Sequence, residues 1–516
     1  MMENYQTYLT KEEQKTIQLK ALFHHHHFQR YYLSAFESYD LYLKSRNHQE
    51  NQEIITFIGS NGQIMALQPD ITLSIIKNTG ENEEKRCFYD EDVYRHDYKN
   101  QEYQRIHQLG VEQIGQLTLE DEQAILKLAL DSLAILGQGT IRFSHQALID
   151  EIVSWFSFNQ KPKVLQALKQ KAFHELQDLT TTRAFSKENW QQFKNLLLAD
   201  EMVHLQIAEA LQLFQSKESQ DALIELQQLL KNLPSSALGL DLSIINEEDY
   251  YSGCMFQGFL PNVAAPVLLG GRYDQLLLRQ GKSQQGIGFA IYLDSQLFQE
   301  TSSTSDLAKS AYIKVALPKG RMAEKVYQYF VKANLCRQNI LQDNRQLIFT
   351  DEEKHLQFFL VKPSDVAIYV EHGVADIGVV GKDVLMESSP DVLELLDLQL
   401  GKCFLAVAGL NDFKIDQTRA LKVATKYPQI TRNYFAAKGQ AVELIQLHGS
   451  IEVAPLLGLA DVIVDIVETG QTLKENQLKV WQKVAPSSAR LVANQSAYRF
   501  KAKVINEIVQ KVAEQI

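Results

Sequence analysis

The sequence predicts an α+β domain on an antiparallel sheet, interrupted by a helical insert, and after it an α/β domain. Three observations predict this. Short β-rich runs flank a long segment of helical period, a small and polar seam follows, and beyond the seam strands and helices alternate. The 516 residues suffice for three to four domains at roughly 150 residues each. With 45% hydrophobic residues the chain can bury several cores, which excludes a disordered or fibrous protein. A net charge of −11 argues against a protein that coats nucleic acid. The four cysteines, Cys87, Cys254, Cys336 and Cys403, are far apart without metal-ligand spacing, so a reducing compartment is expected. The opening residues are acidic and polar, unlike a secretory signal. No apolar run approaches the ~20 residues of a membrane span. The expectation is a soluble cytoplasmic protein with neither membrane nor nucleic acid as partner.

The first domain is expected over 1–298. Strand runs are read at Ile54–Ile58, Ile64–Leu67 and Val111–Ile114. A helix follows, with Thr118 as N-cap, Asp121 three residues on, and apolar side chains from Ile125 to Leu136 before Gly137 stops it. Residues 160–232 keep a helical period and form the insert; 240–298 return to strand-like runs. The seam at 299–310 reads as a linker. In the second domain, 311–516, strands are expected at Ile313–Leu317, Val366–Ile368, Ile377–Val380, Phe404–Ala408 and Val462–Ile466. Helices are expected at Met322–Asn334, Ile430–Lys438 and Ser450–Leu459.

The chemistry concentrates in Asp461–Asn476. An apolar run delivers the chain into Glu468, Thr469, Gly470, Gln471 and Thr472, with a helix starting near Leu473. A strand that breaks into Thr-Gly-x-Thr at a helix start leaves amide groups unpartnered at the positive end of the helix dipole, which seats a phosphate. Asp465 and Glu468 beside that seat make sense as acceptors for a neighbouring diol, which points to a ribose 5-phosphate. On this short pattern the ordinary alternative, a capped helix with two solvated acids, stays open. Lys319 and Arg321 stand in a second strand-to-helix turn, Leu317–Arg321, suited to a polyphosphate. Arg345 and Lys362 are further cations for a leaving group; each alone is an ordinary surface charge. His448-Gly449-Ser450 reads as another loop feeding a helix, its histidine structural.

LPKGR, YVEHGVADIGVVGKDVL, KVATKYPQITRNYF, GSIEVAPLLGLADVIVDIVETGQTLKEN and SARLVANQSAYR resemble the short form of ATP phosphoribosyltransferase across nearly all of 311–516. The resemblance implies a bilobal α/β fold like that of periplasmic binding proteins, with a second lobe at about 405–485. It implies that Asp465, Glu468, Thr469, Gly470, Gln471 and Thr472 bind phosphoribosyl pyrophosphate (PRPP), and that Lys319, Arg321, Arg345 and Lys362 line the charged cleft. Many members carry Arg where this chain has Lys362. The implied reaction joins the anomeric carbon of PRPP to N1 of ATP and releases pyrophosphate, with magnesium accompanying PRPP through ligands the sequence leaves open.

LQPDITLSIIKN, DVYRHDYKNQEYQRIHQLGVEQIG, EEDYYSGCMF, LLGGRYDQLL and GIGFAIYLDSQL resemble the core of histidyl-tRNA synthetase, a class II fold, over about 10–298. Asn246 and Ser295 stand where the synthetases have arginines, while Arg95 matches an arginine that is kept. Losing two cations from a polyphosphate site speaks against a working synthetase. By the resemblance Asp70, Thr72, Gln108, Glu112, Tyr250 and Tyr251 fall where the synthetase holds histidine. The block most resembles the synthetase-like regulatory subunit of the short phosphoribosyltransferase, here fused to it. The family implies activation by this partner, inhibition by histidine, and a homo-oligomer. The run His24–His27, between two phenylalanines, is not expected to bind a metal. A synthetase and a non-catalytic solute-binding protein are the competing readings. Asn246 and Ser295 speak against the first, the Thr-Gly-Gln-Thr loop against the second.

Overall fold

The computed structural model describes residues 8–43, 54–97, 102–182, 185–198, 202–231, 233–246, 250–261, 263–293, 312–337, 346–411 and 419–516. The expected linker at 299–310, Ser295 and Arg345 lie outside the described residues. The chain falls into two compact units, Met1–Ser303 and Thr304–Ile516.

The first unit contains β1 (Gln29–Arg30), β2 (Phe36–Ser38), β3 (Thr56–Ile58), β4 (Ile64–Leu67), β5 (Lys85–Asp97), β6 (Glu102–Gly115), β7 (Thr140–His145), β8 (Leu238–Leu240), β9 (Cys254–Phe259), β10 (Leu268–Arg272) and β11 (Gln285–Tyr292). Eight of them form one sheet in the order β1-β5-β6-β11-β10-β9-β7-β8. All neighbours are antiparallel except the edge pairs β1/β5 and β7/β8. The remaining three make a small antiparallel sheet, β2-β4-β3. The helix Leu119–Gly137 begins at Thr118 with both hydrogen bonds of a capping box to Asp121, and buries Ile125, Leu128, Ala129 and Leu133. It ends as Gln138 turns left-handed. The strand-like stretch 240–298 also holds a short helix, Asp274–Arg279, which its DQLLLR run buries through Leu276 and Leu277.

Between β7 and β8 the described residues form six α-helices, Gln146–Ser154, Lys161–Lys169, Phe173–Asp178, Lys187–Leu198, Val203–Leu213 and Lys217–Leu229. Trp155 gathers their aromatic residues, with the rings of Phe193 and Phe214 at 5.3 and 5.5 Å. One buried ion pair ties the insert to the sheet: the Lys171 Nζ donates to Asp241 at 2.7 Å and to the Leu197 carbonyl at 2.6 Å. Both side chains are about 95% buried, so each charge depends on the other.

The second unit contains β12 (Ile313–Pro318), β13 (Ile348–Asp351), β14 (Leu356–Val361), β15 (Ile377–Gly381), β16 (Val392–Asp397), β17 (Cys403–Leu410), β18 (Leu421–Thr425), β19 (Val442–Gln446), β20 (Val462–Val467), β21 (Leu478–Ser487) and β22 (Ala489–Asn494). They form a six-stranded mixed sheet, β13-β14-β12-β15-β22-β16, and a five-stranded mixed sheet, β19-β18-β20-β17-β21. The chain leaves the first sheet after β16, enters the second at β17, and returns at Ser488 between β21 and β22.

Two expected elements are corrected. Val366–Ile368 is not a strand but the start of a helix, Val366–Glu371. The apolar run misled: Val366, Ala367 and Val370 share one buried helical face, while Ile368 and Tyr369 point out. The helix expected over Ser450–Leu459 shrinks to one turn, Val453–Leu456, because Ser450 and Gly458 both adopt positive φ and close it from each side.

The two sheets are joined by the helix Lys382–Ser388, which grips the turn into the helix Pro428–Ala436. The carboxylate of Glu387 accepts the amides of Gln429 at 2.9 Å and Ile430 at 3.0 Å, capping that helix from another element. One turn earlier, Asp383 accepts hydrogen bonds from the Ser487 hydroxyl at 2.9 Å and the Tyr427 hydroxyl at 3.2 Å.

Two stability predictions follow from these anchors. Lys171→Ala, which leaves Asp241 buried without its cation, is expected to cost about 3–5 kcal/mol, read as a lower urea midpoint. Glu387→Ala is expected to cost about 1 kcal/mol through the lost cap, with Glu387→Gln retaining part of it.

Candidate functional site

In the six-stranded sheet, β12 and β14 run parallel with Pro318 opposite Val361, so both strands end on the same edge. Lys319 and Lys362 are the next residues, and the Lys319 amide donates to the Val361 carbonyl at 2.8 Å. Gly320 then turns at φ 98°, a conformation that favours glycine, and the helix Arg321–Lys332 begins. Lys319, Arg321 and Lys362 are exposed, and their side chains make no hydrogen bond or ion pair among the described residues. The structure therefore brings three of the four expected cations to one edge; Arg345 falls outside the described residues.

In the five-stranded sheet, β18, β19 and β20 are parallel; β18 and β19 end together at Thr425 and Gln446, opposite Val464, while β20 runs on to Val467 beside β17. Asp465 is half-buried in the second half of β20, and its Oδ1 accepts the Ile466 amide at 2.8 Å. Burial raises its pKa above the ordinary value, opposed by the Lys426 ammonium at the end of β18. Glu468, Thr469, Gln471 and Thr472 are exposed, and Gly470 takes φ 73° immediately before the helix Gln471–Glu475. Leu473 anchors this short helix in the core of the five-stranded sheet. The Gln471 amide donates weakly to the Thr469 hydroxyl at 3.4 Å. The amides of Thr472 and Leu473 have no partner among the described residues. Two hydroxyls, open amides and a close-approach glycine are the parts of an anion seat. His448 and Ser450 follow β19 on the same edge, both exposed.

The sequence reading missed Lys426, Tyr427 and Asp383. Lys426 and Tyr427 follow β18 directly, and Asp383 is buried between the two sheets. Their signal was strand order: only the parallel pairing of β18 with β20 puts Lys426 beside Asp465. Behind them Glu394, fully buried, pairs with Lys382 at 2.7 Å and Arg490 at 3.0 Å.

The first unit gathers a second cluster. Asp70 caps the helix Ile71–Lys77 through the Leu73 amide at 2.9 Å. Two residues on, the Thr72 hydroxyl donates to Glu112 Oε1 at 2.5 Å, crossing from that helix to β6. Asp70, Thr72, Gln108 and Glu112 are all buried. Opposite Glu112 on β11 stands Gly288, where a Cβ would lie 2.0 Å from Glu112 Oε2, so a larger residue would evict the carboxylate. The Tyr250 ring packs 5.1 Å from Tyr251 and 6.3 Å from Tyr273. Both Asp70 and Glu112 act on Tyr250, whose hydroxyl burial holds well above its ordinary pKa. Asn246 accepts the amides of Tyr250 at 2.8 Å and Tyr251 at 3.2 Å and donates to the Tyr251 carbonyl at 2.6 Å. Its side chain is thus committed to holding the two tyrosines. Arg95 bonds the Pro69 carbonyl at 3.3 Å, beside Asp70. The four adjacent histidines diverge: His24 packs 4.9 Å from Phe88, His25 and His26 meet at the end of the helix Lys11–His25, and His27 turns left-handed.

Comparison with known proteins divides at the same seam. Residues 362–514 match the family model for ATP phosphoribosyltransferase, and residues 6–295 that for histidyl-tRNA synthetase. An ATP phosphoribosyltransferase of Brachyspira hyodysenteriae is 52% identical over 203 residues, covering 39% of this chain and 98% of its own length. One from Clostridioides difficile is 49% identical over 204 residues, again 39% and 98%. Among solved structures, an ATP phosphoribosyl transferase (HisG:HisZ) complex from Thermotoga maritima matches at 35% identity, covering 39% of this chain and 97% of that one, with a TM-score of 0.36. An ATP phosphoribosyltransferase regulatory subunit/histidyl-tRNA synthetase from Bacillus halodurans matches at 20% identity, 63% and 86% coverage, with a TM-score of 0.49. The chain belongs to both families at once, a histidyl-tRNA synthetase-like region followed by an ATP phosphoribosyltransferase domain.

Proposed function

We infer that this chain catalyses the first step of histidine biosynthesis, moving the phosphoribosyl group of PRPP onto N1 of ATP with release of pyrophosphate. The observation that carries the assignment to this site is the loop 468–472: exposed hydroxyls and open amides at the carboxyl edge of three parallel strands, the usual ligand position in open α/β sheets. We propose that the two sheets form a bilobal cleft like that of periplasmic binding proteins, with PRPP on the 465–472 loop. Asp465 and Glu468 would accept the ribose hydroxyls, and Thr469, Gly470, Gln471 and Thr472 the 5-phosphate.

The reaction forms a bond from adenine N1 to the anomeric carbon, and the bond to pyrophosphate oxygen breaks with its electron pair leaving on pyrophosphate. N1 carries a free lone pair, so no residue must first remove a proton. Catalysis then rests on alignment and on charge at the leaving group. Lys319, Arg321 and Lys362 suit that task, each well-aimed cation being worth about 1.5–3 kcal/mol. Arg345 keeps the same proposed role. Lys362 is a compact charge without the bidentate fork of arginine, so its hold on an oxyanion is less directional. Magnesium bound to the polyphosphates supplies further positive charge, and the carboxylates of Asp465 and Glu468 are oxygen donors of the type it takes.

For the first unit we propose regulation rather than aminoacylation. Asn246 offers no charge where a synthetase neutralises ATP, yet the acids and phenols around Glu112 remain suited to an ammonium group and an imidazole. Fusion makes the regulatory encounter intramolecular, which raises the effective concentration of one region at the other above that of separate chains. A cytoplasmic homo-oligomer is the proposed working form; no helix among the described residues is long and apolar enough to cross a membrane.

Two assays test this. Asp465→Ala combined with Glu468→Ala is expected to lower kcat/KM for PRPP while the urea unfolding curve stays unchanged; unaltered kinetics would remove the ribose site. In the intact chain, saturating histidine is expected to slow formation of the ultraviolet-absorbing adduct by a coupling of about 1–3 kcal/mol. A rate indifferent to histidine would end the regulatory reading.

A further inference from the structure

Where β12 and β14 begin, at the edge of the six-stranded sheet opposite Lys319 and Lys362, the second unit holds a cavity of about 520 Å³. Ile313 and Leu356 face each other in register at those strand starts. With Leu335 and Ile508 they give the cavity an apolar lining, none of the four more than 9% exposed. The other wall is the second half of the helix Gln495–Ala513. This helix breaks at Lys501, whose backbone leaves helical angles at φ −125° and ψ 17°. Both oxygens of Asp376 hold the Lys501 ammonium there, at 2.8 and 2.9 Å, and Asp376 also accepts the Lys314 amide of β12 at 2.9 Å. Past the break Val504, which lines the cavity, stays 46% exposed.

The charges lining this cavity do not balance. Lys354, Lys501 and Lys511 stand against one carboxylate, Glu507. Lys511 is paired with Glu507 at 2.6 Å and Lys501 with Asp376, so two of the ammoniums already have a counter-ion. Lys354 is half-buried; its amide donates to Asp351 at 3.1 Å, and its ammonium makes no hydrogen bond or ion pair among the described residues. Beside it the His355 ring lies 5.7 Å from that of Tyr312, adding flat apolar surface but no negative charge. One positive charge is left over against an apolar lining. The volume is that of sites for small organic molecules, far above a single ion. A neutral guest would leave Lys354 uncompensated, and a doubly charged one would meet Glu507. We propose that this cavity binds a small organic monoanion with an apolar body, its charged group on Lys354 and its body against Ile313, Leu335, Leu356 and Ile508. The site shares no residue with the loop 465–472 or with the cations of the opposite edge, so it fills independently of PRPP and ATP.

The experiment titrates the full chain with anilinonaphthalene sulfonate, an aromatic monoanion that fluoresces when its body leaves water. A saturable site is expected whose Kd rises about tenfold in Lys354→Met, the loss of one charge-assisted contact. Val504→Glu, which sets a second carboxylate on the wall at an exposed position, is expected to weaken the probe to a similar degree. Octanoate is expected to displace the probe at a concentration about tenfold lower than octanol, which has the same body without the charge. Saturating PRPP and ATP are expected to leave the probe in place. No saturable binding, a Kd unmoved in both variants, displacement by PRPP or ATP, or equal displacement by octanoate and octanol overturns the proposal. Should either variant fail to fold, the comparison of octanoate with octanol in the wild-type chain decides alone.

Discussion

Everything proposed for the second unit depends on parallel strands that deliver their loops to the same edge. Pro318 lies beside Val361 in one sheet, and Thr425 between Gln446 and Val464 in the other. Parallel strands that run to one edge turn separate loops into one surface, so residues distant in sequence become neighbours. The sheet interiors between them are apolar and closely packed, leaving chemistry to the loops. The buried charges Glu394, Lys382 and Arg490 stand just behind this edge in the six-stranded sheet. They fix the strand β22, through which the chain returns from the second sheet.

The first unit obeys a different constraint. Its long antiparallel ladder of β5 and β6 alternates faces, so Glu112 and Gln108 share one side while His107 takes the other. On that other side His107 is held between Asp90 and Asp92, each at 2.9 Å, and the imidazolium form is favoured. Acids that keep a histidine charged and an acid that itself resists charge thus lie back to back across one strand. The difference is solvent and counter-ion, since Glu112 has neither.

Much of this was legible in the sequence, for reasons that can be named. The helix Leu119–Gly137 carried its own cap in Thr118 and Asp121 and a clean apolar stripe. The loop 468–472 was legible because glycine, threonines and a β-rich lead-in are local signals. What misled was equally local. Val366–Ile368 has the composition of a strand, and only packing against the sheet separates it from a helix. Lys426, Asp383 and Glu387 were invisible because their surroundings are made by strand order and by a helix from another sheet, neither of which leaves a mark on neighbouring residues. Asn246 was noticed as a missing charge, but its three hydrogen bonds to the tyrosine backbone had no sequence signature.

Those three bonds mean that an arginine at 246 would not simply add a charge. A guanidinium at 246 would bring a positive charge, but it has no acceptor oxygen for the amides of Tyr250 and Tyr251. That substitution would release the backbone of the two tyrosines that pack beside Glu112. The asparagine therefore works as a backbone clasp, and any exchange at 246 is felt first by the tyrosines it holds.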